Sequence, residues 1–92
     1  MIHGFRHRGL KRLYDTGDRR RIRPDMVAKV ENILSVLDAA ASPRALDLPG
    51  YRLHPLKGDR RDSGAVTVAA NWRIVFAFPD GDAYKVDLVD YH

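Results

Sequence analysis

The spacing of apolar residues changes once along the chain, and this change constrains the fold more than any other feature. Between residues 26 and 41 apolar side chains recur at helical spacing. They are Met26, Val27, Val30, Ile33, Leu34, Leu37 and Ala41. From residue 51 onward, short alternating apolar runs are separated by turn-forming residues, which is typical of strands. Helices followed by a strand meander predict a two-layer α+β fold.

Local signals give the expected elements. Leu10, Leu13 and Tyr14 share one face of a first helix over residues 7–16, which Gly17 ends. Pro24 suits the first turn of the second helix, and Pro43 limits it. The remaining predictions are a short edge strand at 2–5, a loop at 45–50, strands at 51–54, 65–69, 72–78 and 83–89, and a tight hairpin turn at Asp80-Gly81.

Length and composition exclude several classes of protein. Ninety-two residues suit one domain, which we place at 1–92. The absence of cysteine excludes a disulfide scaffold, thiolate zinc sites and thiol catalysis. No apolar run reaches the roughly 18–20 residues of a membrane helix, and residues 1–23 lack the apolar core of a signal peptide. We therefore expect a cytoplasmic protein with no membrane partner.

Positive charge is concentrated near the amino terminus. The whole chain carries a formal charge of +4. Residues 1–23 hold eight basic residues against Asp15 and Asp18: Arg6, Arg8, Lys11, Arg12, Arg19, Arg20, Arg21 and Arg23. A second basic group contains Arg52, Lys57, Arg60 and Arg61. Such clusters favour a polyanionic partner, because neutralising phosphates releases counterions.

Three polar groups interrupt the apolar pattern. They are His54 and Lys57 around a Pro-Gly bend, Asn71 and Arg73 at the start of a strand, and the terminal Asp90-Tyr91-His92. A histidine or aspartate can take a proton, Lys or Arg can stabilise charge on phosphate, and Tyr can stack on a base. Together these groups contain the parts needed for phosphodiester cleavage without a metal. His54, Asp90 and His92 lack dense metal-ligand spacing, so no metal or other cofactor is predicted.

The motifs also resemble a known family in their order along the whole chain. They are Gly9-Leu10-Lys11-Arg12-Leu13, the run from Leu53 to Arg60, Asn71-Trp72-Arg73-Ile74, Gly81-Asp82-Ala83-Tyr84 and Asp90-Tyr91-His92. This ordered set resembles the HigB toxins of the RelE/ParE superfamily. The resemblance implies a RelE-like fold with two N-terminal helices on a curved, mainly antiparallel sheet. The chain departs from the family pattern in two places. In the strand before Asn71 we would expect an aromatic and another basic residue, where this chain has Gly64-Ala65 and Ala69-Ala70, and the connection Arg19-Arg20-Arg21 is unusually basic.

The resemblance also implies an activity and a set of site residues. HigB toxins are ribosome-dependent mRNA endonucleases in which the ribose 2′-hydroxyl attacks the adjacent phosphate, with no metal required. By similarity, the residues around that phosphate are His54, Lys57, Arg73, Asp90, Tyr91 and His92. Either His92 or Asp90 is then the general base, and His54 is the general acid or a positioning group. Asn71 is a positioning or structural residue, and we expect residues 90–92 to fold back beside His54 and Lys57.

The implied partners are the ribosomal decoding site with its mRNA and a cognate antitoxin. Such a HigA-like antitoxin usually carries a helix-turn-helix domain, so operator DNA is contacted only through it. The eight basic residues within positions 1–23, together with Arg60, Arg61 and Asn71, are expected to contact RNA. The connection Arg19-Arg20-Arg21 also suits an acidic antitoxin surface. Two other functions stay open: a ParE-like topoisomerase inhibitor without nuclease activity, and a plain nucleic-acid-binding domain.

Overall fold

The computed structural model describes residues 1–55 and 63–91. Two α-helices, α1 (Arg8–Thr16) and α2 (Val27–Ala39), precede four strands. The strands are β1 (His54–Pro55), β2 (Ser63–Ala69), β3 (Trp72–Ala77) and β4 (Tyr84–Asp90). Short 3₁₀ turns at Pro24–Met26 and Pro43–Leu46 lie on either side of α2. In the described part of the chain, no helix is long and apolar enough to cross a membrane.

The strands form one antiparallel sheet in the order β1-β2-β3-β4. The amino-terminal segment lies along the outer edge of β4, where Ile2 and Phe5 form isolated parallel bridges with Ala83 and Val86. Alternate strand residues contribute to one hydrophobic core with both helices. The core members that are least exposed include Leu10, Val30, Ile33, Leu37, Val66, Ile74 and Val86. The predicted two-layer α+β fold is confirmed.

Both ends of α1 are capped by residues beside it. The His7 Nδ1 accepts a hydrogen bond from the Leu10 N–H at 3.1 Å, which satisfies one of the free donors of the first turn. At the other end, Gly17 adopts φ 77° and its N–H donates to the Leu13 carbonyl at 3.0 Å. A left-handed C-cap favours glycine, because the conformation crowds a Cβ atom. The predicted end of α1 is therefore confirmed.

The segments around α2 differ from the prediction. The helix ends at Ala39 rather than continuing to Ala41. Pro43 disfavours helical geometry at Ser42, whose φ is −156°, so the chain is extended before it re-enters a 3₁₀ turn. That turn covers Pro43–Leu46, and the predicted loop at 45–50 therefore begins inside it.

Two predicted strand boundaries are also wrong. The strand expected at 51–54 shrinks to His54–Pro55, because Arg52 has φ 51° and breaks the extended conformation. The Asp80-Gly81 pair does not form a two-residue hairpin, since β3 and β4 are joined by residues 78–83. The Ala83 backbone pairs instead with the amino-terminal segment: its N–H donates to the Met1 carbonyl and its carbonyl accepts from the His3 N–H.

Candidate active site on the open face of the sheet

The sheet has one face turned away from the helices, here called the open face. Strand register places side chains on it in rows, because directly paired residues point to the same side. One row runs from His54 through Ala65 and Val75 to Asp87. The next row contains Thr67, Arg73 and Val89. The predicted site residues His54 and Arg73 therefore share this face.

The β2–β3 turn holds the carboxy-terminal end of the described chain. The Tyr91 N–H donates to the Asn71 carbonyl at 2.8 Å, which extends the β3–β4 pairing past the end of β4. The Arg73 Nη1 donates to the carbonyls of Ala70 at 2.8 Å and Trp72 at 3.2 Å. Asn71, Arg73 and Tyr91 are thus brought together at one end of the sheet. This contact uses the Asn71 backbone and not its side chain, so the positioning or structural role expected of Asn71 stays a prediction.

Asp90 and Tyr91 occupy opposite sides of β4. Asp90 is paired with Trp72 and aligned with buried Leu88, which places it on the helix side, at the exposed end of the strand. Tyr91 faces the open side and is 47% exposed, so its ring is available for stacking. The predicted burial of Trp72 holds in part, since its side chain packs against the core and keeps some exposure.

A groove of about 660 Å³ runs along the β3–β4 half of the open face. Its floor consists of small apolar side chains, including Val75, Ala77 and Val89. The polar residues and tyrosines that line it are Arg6, Ser63, Tyr84, Lys85, Asp87 and Tyr91. The volume lies in the range of small-molecule sites. A flat apolar floor with tyrosines and cations beside it suits an unstacked nucleotide.

His54 and Tyr91 bound the open face from opposite sides. His54 lies three strands from β4, or about 14 Å at the usual strand spacing. Asp87 lies in the same row as His54, and Tyr91 lies four residues beyond Asp87. Tyr91 is therefore displaced from this row by about 13 Å along the strand direction. Their α-carbons would be roughly 19 Å apart on a flat sheet rather than side by side. The predicted site residues Lys57, Arg60, Arg61 and His92 lie outside the described residues.

The basic amino-terminal region divides into paired and unpaired cations. Lys11 contacts Asp15 at 2.5 Å, Arg12 and Arg20 contact Asp18 at 3.2 and 3.0 Å, and Arg23 contacts Asp25 at 2.8 Å. The Arg20 guanidinium holds the pKa of Asp18 well below its usual range. Within the part of the chain that the structure describes, four arginines that we expect to bind RNA form no ion pair: Arg6, Arg8, Arg19 and Arg21.

A network of hydrogen bonds fixes the segment that carries Arg6 to the groove. The Asp38 Oδ1 accepts from the Ile2 N–H at 3.0 Å and from the Tyr14 hydroxyl at 2.6 Å, so it joins the amino-terminal segment to both helices. The Tyr14 hydrogen bond lowers the pKa of the Asp38 carboxyl. Nearer the amino terminus, His3 contacts Asp82 at 3.1 Å and stacks on Tyr84 at 5.2 Å. The Arg6 N–H donates to the Val86 carbonyl at 2.8 Å.

Two comparisons with known proteins cover almost the whole chain. Residues 3–92 match the family model described as "RelE-like toxin of type II toxin-antitoxin system HigB". The chain is also 42% identical to a curated protein of Proteus vulgaris named "Endoribonuclease HigB", over 92 residues that make up 100% of both chains.

This chain belongs to the HigB-like toxin family. The resemblance inferred from the ordered motifs is confirmed. Since family members are toxins of type II toxin–antitoxin systems, the partner of this HigB-like toxin is an antitoxin.

Sequence reasoning missed several residues of this site. Ser63, Tyr84 and Asp87 line the groove but were not among the predicted site residues. The alternation of Val86 and Leu88 with Asp87 is a signal that could have placed Asp87 on the open face. Asp38 gave no such signal, because its role depends on the tertiary approach of residue 2 and Tyr14 to α2.

Proposed function

We propose that this HigB-like toxin is an endoribonuclease that cuts mRNA on the ribosome and uses the open face of the sheet as its active site. The observation that carries the proposal is that His54, Arg73 and Tyr91 lie on one face of the sheet, whose β3–β4 half holds the apolar groove that Tyr91 lines. The full-length similarity to a protein named an endoribonuclease supports it.

The proposed reaction is an intramolecular transfer at one phosphate. The ribose 2′-oxygen attacks phosphorus and forms a P–O bond, while the bond from phosphorus to the 5′-oxygen of the next nucleotide breaks. A general base takes the 2′-hydroxyl proton and a general acid gives a proton to the leaving oxygen. The products are a 2′,3′-cyclic phosphate and a free 5′-hydroxyl, and no metal or other cofactor takes part.

We assign the roles from the placement of each side chain together with the family resemblance. The resemblance gives His54 as general acid or positioning group, and its place on the β1 edge, away from the end of β4, favours the positioning role. Arg73 stabilises negative charge on the phosphorane, and Tyr91 stacks on a neighbouring base. The resemblance gives Asp90 or His92 as the general base and Lys57 as an added positive charge. Asp90 lies on the helix side at the exposed end of β4, so it acts on RNA that passes this end of the strand. Each acid–base group typically contributes about 10²–10⁴-fold to the rate.

The basic surface of α1 and the connection after it is proposed to contact ribosomal RNA. Arg8 and Arg21, which form no ion pair among the described residues, lie with Lys11 and Arg12 around one shallow depression. Unpaired guanidinium groups are free to exchange their counterions for phosphates. An enzyme that acts on ribosomes works in the cytoplasm, and we propose that location for this protein. We also propose that residues 1–92 form one domain. We further propose that the antitoxin is HigA-like, carries a helix-turn-helix domain and alone contacts operator DNA.

The test is cleavage of a defined mRNA on programmed ribosomes by the purified toxin, with mapping of the cut positions. His54→Ala should slow cleavage by about 10²-fold or more. His7→Asn is the matched control, since it removes another imidazole yet keeps an N-cap acceptor for α1. Wild-type rates in His54→Ala, with the control unchanged, would remove His54 from the reaction.

The same assay separates this function from topoisomerase inhibition. Discrete breaks within translated codons are expected for the endoribonuclease. Intact mRNA together with supercoiling defects after induction would favour the ParE-like inhibitor. The endoribonuclease is the function that the full-length relative supports, and the ParE-like alternative is not favoured.

A further inference from the structure

One carboxylate lies in the groove that is proposed to hold RNA. Asp87 is half-buried and lines the groove between Val75, to which it is paired across the strands, and Val89 on its own strand. Its Oδ1 accepts a hydrogen bond from the Leu88 N–H at 2.9 Å. Within residues 1–55 and 63–91 no cation forms an ion pair with it. The second oxygen, Oδ2, is left without a hydrogen-bond partner among these residues.

A carboxylate at this position is unfavourable for a phosphate ligand. Negative charge repels the RNA backbone, so the phosphates must lie nearer to Arg6 and Lys85, the two cations that line the same groove. A base has the opposite preference, because an ionised carboxylate accepts hydrogen bonds and cannot donate them. Adenine, cytosine and guanine present amino donors on their Watson–Crick edges. Uracil presents one imino donor that lies between two carbonyl oxygens. The carboxylate repels both oxygens, so it binds uracil less well.

The surroundings of Asp87 also fit a base rather than a sugar–phosphate. Val75, Ala77 and Val89 form a floor against which a ring can lie, and Tyr91 provides an exposed stacking platform at the end of the same groove. Unstacked bases of single-stranded RNA are recognised by this combination of stacking and edge contacts. The Leu88 N–H restrains the carboxylate, which lowers the entropy that is lost when a base binds.

We propose that Asp87 is a specificity-determining residue that reads one base of the bound codon and selects an amino-bearing base over uracil. The inference rests on the proposed endoribonuclease function and adds to it a recognition role for the β4 half of the open face. Hydrogen bonds to a base edge discriminate by about 5- to 100-fold. The ratio of cleavage between the best amino-bearing base and uracil should lie in that range at one codon position.

The experiment uses ten mRNAs, one with a parent codon and nine with its single-base variants, so that each codon position carries each of the four bases; all are presented on programmed ribosomes. Asp87→Ala should bring the discrimination at one position below about 2-fold. Asp87→Asn should raise cleavage of the uracil message relative to the others, because an amide can donate to a uracil carbonyl. Asp47→Asn, which removes the same charge from the exposed connection after α2, should keep the wild-type base profile.

Failure of this inference is distinguishable from failure of the proposed function. If the wild-type toxin cuts none of the ten messages, the endoribonuclease function itself is refuted. If the wild-type toxin cuts them and both Asp87 variants keep its base profile, Asp87 does not read a base. An equal loss of cleavage on all ten messages would also overturn the inference, since it would assign Asp87 to folding or to the reaction.

Discussion

Replacement of Asp38 tests how the amino-terminal segment is held against the helices. Its carboxylate accepts from the Ile2 N–H and from the Tyr14 hydroxyl, and Ile2 is only 5% exposed. Hydrogen bonds to charged groups contribute about 1.5–3 kcal/mol each, and partial exposure of Tyr14 favours the lower end of that range. Asp38→Ala removes both bonds and leaves the Ile2 N–H without its acceptor, so the free energy of unfolding should fall by about 3 kcal/mol. Asp38→Asn keeps a neutral acceptor and should lose about half as much.

Thermal unfolding at pH 7 measures this effect directly. A domain of this size loses about 4–8 °C in Tm per kcal/mol, so Asp38→Ala should unfold roughly 12–24 °C below the wild-type protein. Tyr14→Phe removes one of the two bonds, and its effect should largely disappear in the Asp38→Ala background. An Asp38→Ala variant as stable as the wild-type protein would refute the proposed role of this network.

The direction in which the pKa of Asp38 is shifted predicts how the stability difference between the wild-type protein and the Asp38→Asn variant depends on pH. The Tyr14 hydrogen bond lowers the pKa of Asp38 in the folded state. A lowered carboxyl pKa stabilises the fold fully above the unfolded value, about 3.9, and the contribution is lost as the pH falls through the folded value. The stability difference between the wild-type protein and Asp38→Asn should be constant from about pH 5 to 7 and shrink below about 4. A difference that widens in acid would contradict this assignment.

Two other substitutions test a helix end and the charged surface. Gly17→Ala should lower the free energy of unfolding, measured in urea, by about 1–2 kcal/mol, because an alanine is strained at φ 77°. The new Cβ would meet no neighbour within 4 Å, so the backbone strain is the whole effect. Unchanged stability would mean that alanine does not strain the left-handed cap. Arg8→Gln should reduce the dependence of log K for ribosome binding on log salt by about one, whereas Arg23→Gln, which removes a cation already paired with Asp25, should reduce it less. Equal slopes for the two variants would contradict the division into paired and unpaired cations.

The sequence predicted the elements whose signals are local. The helical spacing from Met26 to Leu37 placed α2, and Gly17 placed the end of α1. Signals that depend on distant residues failed. The left-handed conformation of Arg52 and the pairing of Ala83 with the amino terminus arise from tertiary packing, so the extent of β1 and the length of the β3–β4 connection were wrong.

The candidate site was predictable for a different reason. His54 and Arg73 were selected from the family motifs, and register places them on one face of the sheet. Counting charge could not separate the paired cations from the free ones, because Arg12 and Arg20 reach Asp18 only through the fold of the connection. Asp87 looked like one polar residue of an alternating strand. Its position in a groove required the register of β3 against β4.

The most direct test of the central claim places a negative charge on each side of the molecule. Val89→Glu adds a carboxylate to the floor of the groove, and Ala28→Glu adds one to the exposed side of α2. With folding of both variants verified by thermal unfolding, mRNA cleavage on ribosomes should fall by about 10²-fold or more for Val89→Glu. It should be unchanged for Ala28→Glu. Equal cleavage by the two variants would contradict the assignment of the open face as the active site.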